Sequence, residues 1–112
     1  MSIKVSEIFA SYKVNRSLSL RTLAAMDVSV KRFIDVFGDV PVASINGRHL
    51  EEFRRVLLKV PARMTFKQQQ LPILKAIALT EQLNPNTLLP ETVDVQIELL
   101  MWVLESSGRK FD

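Results

Sequence analysis

The stretch FIDVFGDVPVASINGRHLEEF, residues 33–53, constrains this chain more than any other. A long amphipathic segment runs into it and stops at Gly38, a residue suited to the backbone conformation that ends helices. Asp39 to Ile45 form a short connector that contains Pro41, whose missing N–H does no harm there. Asn46 carries the side chain of a good N-cap, so a second helix is expected from Gly47 to Leu58. The residues before this corner read as a lead-in helix. Those after it read as further helices able to close over the same core.

Hydrophobic periodicity supplies the other elements. Val5, Ile8, Phe9 and Tyr12 recur at three- and four-residue spacing, which predicts a first helix over Val5–Lys13 with Ser6 or Ser2 as cap. Asn15 to Leu18 reads as a connector. Ser19 is the expected N-cap of the second helix, where Leu23, Met26, Val30, Phe33, Ile34 and Phe37 share one face at about 100° per residue. The opposite face carries Arg21, Ala24, Ala25, Val28 and Arg32, with Lys31 to one side. Two arginines flanking small side chains fit a face that lies close to a grooved partner, and equally a solvated outer face.

In the third helix Leu50, Phe53 and Leu57 form the expected buried stripe, with Val56 beside them. Glu51 and Arg55, and Arg48 and Glu52, are spaced to pair, so its charges read as a solvated face. Val60-Pro61 ends it. The segment from Pro61 to Pro72 holds Arg63, Lys67 and three glutamines without an acid. It fits phosphate contact and a polar linker alike. Pro72 opens a fourth helix to Leu83, closed by Asn84-Pro85-Asn86. A fifth is expected from Pro90 to Ser107, with Gly108 as its stop and Val93, Ile97, Leu100 and Leu104 as its core stripe. Val95, Leu99 and Trp102 make a second apolar stripe, which marks either the buried centre of a bundle or a docking face. The fold class is therefore all-α, a single domain over 1–112 built as a small bundle of about five helices.

Composition narrows the functions available. A hydrophobic share of 47% argues against disorder. The absence of cysteine excludes a disulfide scaffold and a Cys-ligated zinc site. No apolar run is long enough for a signal peptide or a membrane span. A net charge of +3 permits nucleic-acid binding without demanding it. His49 is the one histidine, at the edge of the third helix's apolar stripe, and reads as a surface or satisfied side chain. Glu51 and Glu52 are adjacent, so they point about 100° apart and form no carboxylate dyad. Tyr12 reads as core. No phosphate-binding glycine loop or metal-ligand spacing is present. No enzymatic activity, metal or cofactor is expected of this chain. Arg109 to Asp112, after Gly108, reads as a domain edge where a linker to further protein begins.

Taken in order, four features carry a resemblance. They are Ser-x-x-Thr at Ser19–Thr22, the long helix ending FGDVPV, the run INGRHLEEFRRVLLKVP, and a Pro-Glu-Thr-Val helix start at Pro90. Over nearly the whole chain they resemble the N-terminal, SAM-like core-binding domain of the tyrosine recombinase (phage integrase) family. The resemblance implies a helical bundle packed over one side of double-stranded DNA while a separate C-terminal domain closes on the other. It implies phosphate and groove contacts at a recombination site, neighbouring recombinase protomers as partners, and no membrane. It places the catalytic Arg, Lys, His and Tyr wholly in the other domain, and the protein in a bacterial or phage-derived cytoplasmic setting.

By the same resemblance Thr22 matches the family's threonine and is placed to bond a phosphate at a helix N-terminus. Thr92 matches the threonine of the last helix. There the pattern departs: Asp94 stands in place of Asn, Val95 in place of Lys or Arg, and Leu89 in place of Ser. Charge and resemblance together nominate Arg21, Thr22, Lys31, Arg32, Arg63, Lys67, Thr92 and Gln96 as DNA-binding residues. The alternative is a helical protein-interaction module that docks through the second apolar stripe of the last helix.

Overall fold

The computed structural model of the chain describes residues 3–60, 70–81 and 87–108. Five α-helices lie among them: α1 (Val5–Asn15), α2 (Leu20–Phe37), α3 (Gly47–Leu57), α4 (Ile73–Glu81) and α5 (Pro90–Glu105). A 3-10 turn at Val42–Ser44 sits in the connector between α2 and α3. The fold is a small all-α bundle, as the periodicity predicts. α5 packs against α1, α2 and α3, and α2 packs also against α1 and α4. No described helix is long and apolar enough to cross a membrane. The expected end of the fourth helix at Leu83, with its Asn84-Pro85-Asn86 stop, lies outside the described residues.

The expected stripe of α1 is buried in full: Val5, Ile8, Phe9 and Tyr12. On α2, Met26, Val30 and Phe33 are buried, while Leu23, Ile34 and Phe37 sit half-buried at the rim. Ser29, absent from the expected stripe, is fully buried because it faces α5 and donates to the carbonyl of Gln96 at 2.7 Å. On α3, Phe53, Val56 and Leu57 are buried. On α5 the buried arc is broader than one stripe, since three helices surround it. Leu99 and Val103 join Val93, Leu100 and Leu104 in the core, and Ile97 moves to the rim. The second apolar stripe is thereby split: Leu99 is core, whereas Val95 and Trp102 remain 54% and 48% exposed.

The corner after α2 does more than redirect the chain. Gly38 has φ 86° and ψ 170°, a region open in practice only to glycine, and its N–H closes α2 on the carbonyl of Ile34 at 2.7 Å. Asp39 then reaches the start of α1. Its carboxylate accepts the Ser6 N–H at 2.9 Å and the Ser6 hydroxyl. This corrects the expected cap. Ser6 lies inside the first turn of α1 and Ser2 lies outside the described residues, so a side chain more than thirty positions away serves the helix start. Lys4 is the flanking residue, its N–H donated to Glu7 Oε1 at 3.0 Å.

Backbone bonds from Val5 N–H to the Val40 carbonyl and from Val42 N–H to the Ile3 carbonyl complete the clasp, at 3.1 and 2.8 Å. At the far end, Asn46 Oδ1 accepts the N–H groups of Arg48 and His49. His49 Nδ1 accepts the Asn46 N–H in return, at 3.1 Å. His49 is thus a satisfied histidine, half-buried edge-on to Phe37. Phe33 packs against both Phe37 and Phe53, joining the end of α2 to α3.

Gly38→Ala lowers stability by about 1–3 kcal/mol in urea unfolding, from backbone strain alone, because a Cβ there meets nothing within 4 Å. Gly47→Ala, at a helix start with negative φ and equal space, is neutral or stabilises by about 0.4–1 kcal/mol. The Ser6 hydroxyl and N–H hold the Asp39 carboxyl below its ordinary range. A folded pKa below the unfolded one means that the contribution is present above about pH 4 and is lost as pH falls through the folded value. Asp39→Asn therefore lowers stability near neutral pH, by a small amount because the carboxylate is exposed and screened by solvent. Its stability also falls less steeply in acid than that of wild type, as thermal melts across pH will read.

Candidate nucleic-acid interface

Two of the nominated side chains meet. Arg32 Nη1 donates to Gln96 Oε1 at 3.0 Å across the α2–α5 seam, and Ser29 binds the backbone carbonyl of that same Gln96. Arg32 is half-buried, which corrects its expected place on the solvated outer face. It lies on the edge of that face, where α5 covers it. Burial pushes its guanidinium below the usual pKa, though an arginine stays charged at any ordinary pH. Among the described residues no carboxylate pairs with it. The group that holds Arg32 is a neutral amide, which orients the cation without cancelling its charge.

The other candidates are more dispersed. Arg21 and Lys31 are exposed on the outer face of α2. Asp27 and Asp35 are also exposed along the same helix, so its formal charge falls short of a basic patch. Thr22 is half-buried, with its N–H on Ser19 Oγ at 3.1 Å and its Oγ1 accepting the Ser19 hydroxyl at 2.9 Å. Thr92 is exposed in the first turn of α5. Arg63 and Lys67 lie outside the described residues.

The charges of α3 also differ from expectation. The four-residue pairs do not form. Arg55 instead meets Glu52 at 3.5 Å, and Arg54 crosses to Asp94 of α5 at 3.0 Å. Arg48, Arg54, Arg55 and Lys59 are all exposed against Glu51 and Glu52, so the α3 segment is the more basic one. The outer face of α5 is the reverse: Glu91, Asp94 and Glu98 are exposed around Val95 and Trp102, and the helix contains no Lys or Arg. Counting every charge around each helical wheel, rather than only the basic ones, finds both facts in the sequence. The Arg32–Gln96 contact needs the α2–α5 docking and no sequence signal points to it.

The described residues bring no three His, Asp or Glu side chains together as metal ligands. None of their buried side-chain polar atoms lacks a hydrogen-bond partner.

Arg32→Ala and Gln96→Ala are expected to couple by on the order of 1 kcal/mol in a double-mutant cycle read by urea unfolding, because each leaves the other's polar group half-buried and unpaired. Strict additivity would mean that the contact contributes nothing to the seam. No family model, curated protein or solved structure matches this chain.

Proposed function

We propose that the chain is a DNA-binding domain that contacts the phosphate backbone of a duplex, serving as the non-catalytic clamp half of a site-specific tyrosine recombinase. The motif resemblance supplies the family. The observation that carries the binding is Arg32: a half-buried guanidinium, fixed by the neutral Gln96 amide, with no carboxylate on it among the described residues. A cation held in place and not neutralised is suited to a phosphate oxygen, since little side-chain freedom remains to be lost. Arg21 lies eleven positions earlier, which brings it within about 20° of Arg32 around α2. The two form one edge. Thr92 stands exposed at the N-terminal turn of α5, the helix that carries Gln96.

The acidic outer face of α5 repels a duplex, so DNA approaches from the α2 side. Binding by this domain alone is weak and salt-dependent, in the micromolar range or weaker, because few phosphates are contacted. Strand cleavage and rejoining belong to a separate domain of the parent polypeptide. A reading frame that continues past Asp112 into an Arg…His-x-x-Arg…Tyr domain would support that assignment.

Fluorescence anisotropy with a random-sequence duplex tests the contact. Plots of log K against log salt should be shallower by about 1.8 for Arg21→Ala/Arg32→Ala than for wild type, two phosphate contacts having been removed. Gln96→Glu, which sets a carboxylate on Arg32, should keep the fold and weaken binding. Equal slopes and unchanged affinity in both variants would sink the reading.

A further inference from the structure

The outward side of α5 carries only acids and two apolar side chains. Around the helix axis Glu91, Asp94, Val95, Glu98, Trp102 and Glu105 fall within an arc of about 100°. Glu105 is half-buried and the others are exposed. The core takes the opposite side, where Val93, Leu100, Val103 and Leu104 are buried. The helix contains no Lys or Arg to balance its carboxylates. Arg54 reaches Asp94 from α3, at the edge of the arc. Among the described residues no cation pairs with Glu91, Glu98 or Glu105.

These side chains are also regularly spaced. Glu91, Glu98 and Glu105 repeat every seven residues, and so do Val95 and Trp102. A seven-residue period drifts by only about 20° per step on a straight helix, so each set forms a row that a second helix can follow. The acidic row and the apolar row lie about 40° apart, side by side. From Glu91 to Glu105 they run for about 21 Å. The apolar row is left about half exposed by the core and includes the single tryptophan.

Charge decides what can cover this face. Nucleic acid and anionic lipid are repelled by the carboxylates. A second α5 laid on the first would set acid on acid. The complement is a strip of cations beside a strip of apolar side chains, repeated at the same period. We propose that the outward face of α5 binds a cationic amphipathic helix of a partner protein. Its apolar side chains cover Val95 and Trp102, and its Lys or Arg side chains align with Glu91, Glu98 and Glu105. Exposed ion pairs contribute little each, so Trp102 is the anchor and the acidic row supplies selectivity. A cation beside Trp102 also lies over the indole face. The proposal rests on the charge and period of α5 and is independent of the DNA reading.

The lone tryptophan provides the readout. The probe is an alanine-based peptide of about three heptads, with leucine and lysine rows at seven-residue spacing and no tryptophan. Titrated into the full chain, it should shift Trp102 emission to the blue and saturate in the micromolar range. A scrambled peptide of the same composition should bind at least about tenfold more weakly. Glu91→Gln/Glu98→Gln should weaken the ordered peptide by about tenfold and flatten its salt dependence. Trp102→Ala should weaken it as much, read by anisotropy of a labelled peptide. Circular dichroism melts check that the variants fold, and the neutralised pair decides alone if the Trp102 variant does not. Absence of a blue shift would overturn the proposal. Equal binding of ordered and scrambled peptides would do the same, because charge alone would then account for it. Sedimentation velocity of the chain by itself addresses the other occupant: self-association abolished by Trp102→Ala would assign this face to a second copy and overturn the proposal.

Discussion

The carboxylate of Asp39 belongs to a clasp that ties the end of α2 to the start of α1. It comes directly after a glycine whose φ of 86° turns the chain out of α2, and it closes on the N-terminal turn of α1. Two strand-like backbone bonds beside it hold Ile3 and Val5 against Val40 and Val42. One short connector therefore ends one helix, starts a second through a distant cap, and starts a third through Asn46. Local capping satisfies only the groups of its own helix. Here the cap is tertiary, so the angle between α1 and α2 is fixed by hydrogen bonds as well as by the apolar contacts of Val5, Phe33 and Val42.

A second constraint acts in the middle of the bundle, where α2 meets α5. Ser29 is small enough for the helices to approach closely, and burying its hydroxyl is tolerable because the Gln96 carbonyl accepts it. The close approach carries Arg32 partly under α5, where its charge must find an acceptor. It finds the Gln96 side chain. Packing of two helices through a buried serine thus produces, one turn later, an oriented cation at the surface. The proposed phosphate contact is a consequence of how the core closes rather than an appendage to it.

Charge is sorted across the surface in a way that limits what each face can do. α2 mixes acids and bases, α3 and its end are net basic, and α5 is acidic around an exposed Trp102. The proposed phosphate contact on α2 accordingly lies apart from the acidic outer face of α5. The residues at which the last helix departs from the motif it resembles have places of their own. Asp94 serves Arg54 across the α3–α5 line, and Val95 belongs to the outer ridge of α5, so neither faces the seam at Gln96.

The helices were legible in the amino-acid order alone, since each is encoded by short-range features. These are the apolar period of Val5–Tyr12 and Met26–Phe33, the caps Ser19 and Asn46, the stop at Gly38 and Pro90 at a first turn. Which residues around α3 and α5 are charged was legible too, though only when acids and bases are counted together. Packing then set what those charges meet. Arg54 took Asp94 of α5, and Glu52 paired with Arg55 at three residues rather than with Arg48 at four. The cap of α1 came from Asp39, and Arg32 moved from an outer face to a seam. The difference is one of range. Helix formation depends on neighbours within about four residues, whereas a side chain's partner depends on which helices pack and at what angle, which no local pattern specifies.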